Sequence, residues 1–149
     1  MGRQRRRPKP TDVYQAFVWD LVITVGLSRF EFHGYTELRE STAVSDRLEL
    51  PLVTSSDRHR ARLQAARILV ADAARSIGQD RDVALALIGA STGTKGADLE
   101  IRCLKAAQAH GLKDSTYFWR KYAPEYVEAI AHELYLLIAH TACEQLPLF

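Results

Sequence analysis

The sequence predicts a mostly α-helical protein: a single helical domain with a small hairpin-like or irregular insertion and a helix-turn-helix-like C-terminal part. Three observations lead there. Apolar residues recur at helical spacing over most of the chain, most clearly from Leu63 to Ile77 and from Val127 to Ile138. Glycines stand just past several of these stripes, at Gly26, Gly78, Gly89 and Gly111, where a helix end takes its left-handed residue. Finally, no internal repeat recurs at any period that would build a solenoid or propeller. The composition, 47% hydrophobic and 26% charged, is that of an ordinary globular domain. A chain of 149 residues is long enough for one core that buries about 70% of the unfolded surface.

Residues 1–10 form a basic arm. Arg3, Arg5, Arg6, Arg7 and Lys9 are five of the twenty Lys/Arg, and none of the eighteen Asp/Glu lies among them. The body is left with fifteen against eighteen, a net of −3 within an overall +2. Pro8 and Pro10 exclude a helix here, and the arm is expected to be disordered unless something anionic orders it.

The helical domain is placed at residues 11–143. Thr11 or Asp12 is suited to cap a first helix, with Gln15 at capping-box distance from Asp12. Tyr14, Phe17, Val18, Leu21, Val22 and Val25 then follow helical spacing up to Gly26. The stretch from Phe17 to Val25 is rich enough in β-branched and aromatic residues for a buried strand to compete, and the cap decides for a helix. Residues 29–55 read differently. Phe30 and Phe32 alternate before His33-Gly34, and Leu48, Leu50 and Leu52 alternate across Pro51, which predicts a short hairpin or an irregular β-like insertion at an edge. Ser55 or Ser56 opens a long helix to Ile77, and Asp80 to Ile88 a shorter one that runs into the loop of residues 89–96. Helix resumes from Ala97 to His110-Gly111, then around Ser115 to Tyr122. Pro124 starts the last helix, which reaches about Cys143.

The catalytic patterns all fail on spacing. The 89–96 loop holds three glycines and Lys95, but a phosphate loop needs Gly-x4-Gly-Lys-Ser/Thr after a strand. Here Gly93 comes one residue early, Gly96 follows the lysine, and the preceding segment is helical. His132-Glu133 lacks the histidine at position 136, which is Leu136, so two imidazoles do not meet one zinc. Glu128 and His132 share a helix face as a solvated pair. Cys103 and Cys143 match neither a disulfide framework nor a zinc site, and free thiols in a reducing cytoplasm are expected. The first eighteen residues lack an apolar core and no later apolar run approaches twenty, which predicts neither a signal peptide nor a membrane span. The expectation is therefore a protein that is not an enzyme, with no metal and no cofactor.

Residues 97–123 carry a helix-turn-helix-like pattern. Ala107 permits close helix crossing, Gly111 four residues on takes the turn, Leu112 plugs the core, and polar residues open the next helix. Tyr117, Phe118 and Trp119 occupy positions where base-reading groups would stand. Some of them must be core, which leaves Lys113, Ser115, Thr116, Arg120 and Lys121 as the candidate contacts to DNA. The Gly-hydrophobe turn, Thr-aromatic pair, basic residues, proline and amphipathic helix also resemble a helical module of high-GC Gram-positive bacteria, over roughly residues 83–138.

The residues Gln145-Leu146-Pro147-Leu148-Phe149 resemble the short peptide by which many bacterial proteins dock on the replication sliding clamp, the beta subunit of DNA polymerase III. That pattern is glutamine, an aliphatic residue, a variable position, leucine and phenylalanine, often at a chain terminus. Gln145, Leu146, Leu148 and Phe149 fill its four defining positions. Average residue usage gives such a match at one position by chance roughly once in 10⁴ to 10⁵. Pro147 biases Leu146 to extended geometry and keeps the last helix from absorbing residues 144–149 as a docking peptide. The competing arrangement folds Leu148 and Phe149 back as a lid on the domain's own core. The resemblance implies a non-enzymatic accessory or regulatory protein of bacterial, phage or plasmid origin, tethered to the clamp at replication or repair sites. The arm and the helix-turn-helix-like segment then hold DNA, in the cytoplasm and at the nucleoid. The alternative is a helical adaptor or regulator of a signalling or defence system that contacts proteins only.

Overall fold

In a computed structural model of the protein, which describes residues 9–48 and 55–144, the chain forms eight α-helices and no strand among the described residues. These are α1 Asp12–Ile23, α2 Thr36–Arg39, α3 Thr42–Ser45, α4 Ser55–Arg75, α5 Arg81–Ile88, α6 Leu99–Ala109, α7 Ser115–Lys121 and α8 Ala123–Glu144. None is long and apolar enough to cross a membrane.

The stripe seen at the start of the last helix becomes the axis of the fold. Ala123, Tyr126, Val127, Ile130, Ala131 and Leu134 are all buried, at the 3-and-4 spacing that brings side chains onto one helical face. Around α8 pack α1, α3, α4, α5 and α7. The long helix α4 offers Ala65, Ala66, Leu69, Val70, Ala73 and Ala74 to this core, and these four small alanines let the backbones approach closely. The most extensive pairing outside this centre joins α5 to α6.

The stretch that competed as a strand is helix α1, with Phe17, Val18, Leu21 and Val22 inward. Its expected capping box is not formed. The Thr11 side chain makes no capping bond, and the Asp12 carboxylate accepts a hydrogen bond from the Lys9 backbone N–H at 2.8 Å. The insertion is irregular among its described residues and holds no hairpin. A 3-10 turn at Leu27–Arg29 precedes extended backbone at Phe30, and α2 and α3 follow. Phe30 and Phe32 belong to no strand. Phe32 takes φ +61°, and both rings enter the core around Phe17. Phe17 stacks on Phe32 at 5.6 Å and meets Phe30 and Tyr35 edge-on at 5.5 and 4.9 Å. A non-glycine residue at positive φ costs of order 1–3 kcal/mol, which this aromatic packing offsets. The alternation Leu50-Pro51-Leu52 lies outside the described residues.

One buried side chain was not foreseen. Arg102 of α6 shares the inward face with Cys103, Ala106 and Ala107 and is fully buried. Its Nε donates to the Ala97 carbonyl and its Nη1 to the Leu87 carbonyl, both at 3.0 Å, while Nη2 has no hydrogen-bond partner among the described residues. Burial pushes this guanidinium below the ordinary arginine range. The guanidinium joins the 97–99 segment to the end of α5.

Candidate functional site

The connection from α6 to α7 is built by two backbone bonds that only a left-handed residue permits. Gly111, at φ +87°, donates to the Gln108 carbonyl at 3.0 Å, and Leu112 donates to the Ala107 carbonyl at 2.8 Å. Ala107 is fully buried and Leu112 packs against the core, as the sequence pattern required. Asp114 then caps α7: its Oδ1 accepts from the N–H groups of Thr116 and Tyr117 at 2.9 and 3.2 Å. The chain thus makes a helix-turn-helix-like unit in which a carboxylate already satisfies the first N–H groups of the second helix.

Helix α7 divides its residues cleanly. Phe118 is fully buried, Trp119 is half-buried against Trp19 of α1, and Tyr117 is exposed. Only one of the three consecutive aromatics is therefore complete core. Thr116, Tyr117, Arg120 and Lys121 share the outward face, with Lys113 exposed beside them on the turn. Ser115 is half-buried and edges, with Thr116, Trp119, Leu99 and Cys103, a shallow cleft of about 180 Å³ between α6 and α7. Lys121 is held in place: its Nζ donates to the Tyr117 hydroxyl at 2.9 Å and stands 5.4 Å from the ring centres of Tyr117 and Tyr122. That hydroxyl, chiefly, raises the lysine pKa above its usual value.

The helix–turn–helix unit is locked to the body at a second point. His110, at the end of α6, shares a 2.8 Å hydrogen bond between its Nδ1 and the Tyr126 hydroxyl of α8 and lies 4.3 Å from the Tyr122 ring. Burial, before any charge effect, pushes the Tyr126 phenol up to about 12.

The remaining predicted positions fall at the ends of the chain. Lys9 is exposed, and Arg3, Arg5, Arg6 and Arg7 lie outside the described residues. Gln145, Leu146, Leu148 and Phe149 lie outside them as well, directly after the end of α8 at Glu144. The structure thus brings Lys113, Thr116, Arg120 and Lys121 to one surface, turns Ser115 aside, and leaves the arm and the C-terminal peptide without described geometry. Arg102 escaped the sequence reading, although a charge inside the apolar stripe of α6 was a visible signal. The chain matches no family model, no curated protein and no solved structure.

Proposed function

We propose that the protein is a non-catalytic accessory factor that docks on the bacterial sliding clamp through Gln145, Leu146, Leu148 and Phe149. The observation that carries this reading is the match of the pentapeptide at all four defining positions. The course of α8 supports it. Ile138 is the last described hydrophobic side chain of the helix packed against the core. Glu144, the last described residue of α8, stands about 9 Å farther along the axis at 1.5 Å per residue. Extended aliphatic and aromatic anchors of this kind fill preformed pockets, and the glutamine adds directional hydrogen bonds.

DNA is the proposed second partner, through the arm and through Lys113, Thr116, Arg120 and Lys121. The Asp114 cap, which denies a phosphate the start of α7, favours the competing reading of an adaptor that contacts proteins only.

The decisive experiment is a binding titration with purified bacterial clamp. Changing Gln145, Leu148 and Phe149 together to Ala should abolish binding and leave stability within about 1 kcal/mol, as for surface positions. If binding persists, or if melting temperature falls by many degrees because these side chains are core, the docking reading is lost.

A further inference from the structure

The loop of residues 89–96, rejected as a nucleotide motif by its spacing, closes over the side of α4 and forms a cleft of about 290 Å³. Its walls bring together residues far apart in sequence. Arg67 and Arg75 come from α4, Lys95 from the loop, and Ser28 from the 3-10 turn. Leu27, Ile68 and Ala90 supply an apolar side. Three cations face this space, and no carboxylate is among the described residues that line it.

These cations are under-satisfied. Arg67 donates from Nη2 to the Phe30 carbonyl at 3.2 Å, but its Nε is buried with no hydrogen-bond partner among the described residues. Arg75 shares Asp72 with Arg47: Nη1 of Arg75 takes one carboxylate oxygen at 3.2 Å and Nε of Arg47 the other at 2.9 Å. One negative charge thus answers two positive ones. Lys95 is exposed and has no ion-pair partner among the described residues. Ser28 Oγ accepts from the Gly96 N–H at 3.0 Å, which fixes the loop and leaves the hydroxyl proton to donate outward. Beneath the cleft floor at Gly89 lies Arg102, with its Cδ 3.1 Å from where a Cβ on that glycine would stand. A fully buried guanidinium with one unpartnered nitrogen therefore adds its charge from below.

We propose that this cleft is a phosphate-binding site for a nucleotide-class ligand, whose phosphoryl group sits between Arg67, Arg75 and Lys95. The unengaged N–H groups of two guanidinium groups and a lysine suit a tetrahedral oxyanion, and Ser28 adds a neutral donor. The apolar side gives the attached nucleoside a surface to lie on. The phosphoryl group arrives either on a free nucleotide or at the end of a nucleic-acid strand. The site shares no residue with the clamp-docking peptide or with α7, and it stands whether or not that reading holds.

Amide NMR of the full chain tests it, with inorganic phosphate, adenosine diphosphate and a short 5′-phosphorylated oligothymidylate as separate probes. Phosphate and the diphosphate should shift Gly89, Ala90, Lys95 and Gly96 together, the diphosphate at lower concentration. Shifts of these amides by the oligonucleotide alone would assign the phosphoryl group to a strand. Lys95→Gln, which breaks no bond among the described residues, should weaken the effective probe about tenfold, the loss of one charge-assisted contact. Lys95→Gln with Arg75→Gln should weaken it further at unchanged melting temperature. Shifts confined to residues 1–10 or to α7, silence at the cleft amides with all three probes, or unchanged affinity of the double variant would each overturn the proposal.

Discussion

Tyr35 connects its surroundings by one bond: its hydroxyl donates to the Asp20 carboxylate at 2.9 Å while its ring closes the aromatic cluster around Phe17. Burial, then the bond to Asp20, raises the phenol from 10.0 to about 12. A group whose folded pKa lies above its unfolded value stabilises the fold below the unfolded pKa and loses that contribution as pH rises through the folded one. Stability should therefore fall between pH 10.0 and about 12, and Tyr35→Phe should flatten that fall when melting temperature is followed against pH. Tyr126, also raised to about 12, keeps a residual slope in the variant. An unchanged profile would show that Asp20 does not restrain the phenol. At this scale the sequence was least legible. Phe30 and Phe32 keep the spacing that puts residues i and i+2 on one side of a strand, yet Phe32 takes a positive φ that no strand allows, and the two rings meet through a turn of the backbone instead. Nothing in side-chain chemistry announces a backbone sign change that later packing enforces.

Among elements, the helix ends were the most legible feature, because a glycine after an apolar stripe has one common physical meaning. Gly89 and Gly111 close α5 and α6 with the same pair of bonds, a glycine N–H to the carbonyl three residues back and the next N–H to the carbonyl five back. Their surroundings differ. A Cβ at Gly111 would meet nothing within 4 Å, whereas at Gly89 it would stand 3.1 Å from Arg102 and 3.3 Å from the Thr94 carbonyl. Gly111→Ala should therefore cost only the left-handed strain, about 1–2 kcal/mol, and Gly111→Asn less. Gly89→Ala should cost more than either, since buried Arg102 and a loop carbonyl must also yield. Urea unfolding gives the order directly, and equal losses at the two glycines would contradict it. The stripes of α4 and α8 were equally readable. The 89–96 loop was not: its one cation, Lys95, meets those of α4 only through tertiary packing, which no local spacing records.

For the whole molecule, the basic arm and the mildly acidic body set the long-range electrostatics. If the arm lies along phosphates, log K for DNA should fall with log salt by about 0.9 per neutralised phosphate. Deleting residues 1–10 should flatten that slope by several units. Lys113→Gln, Arg120→Gln and Lys121→Gln together should lower it further only if α7 also touches DNA. Absence of salt-sensitive binding to duplex or single strands by the intact protein would transfer the case to the protein-only adaptor. The helical class followed from periodicity, while the alternation read in the insertion corresponds to no strand among the described residues. The chain's two tryptophans, Trp19 on α1 and Trp119 on α7, meet edge to face at 5.5 Å. Their indoles are thus an intrinsic optical gauge of whether α7 is seated on the body. Coupling between them gives a near-ultraviolet dichroism signal that vanishes when the rings part, so local opening of α7 can be watched without any label while the rest of the protein stays folded.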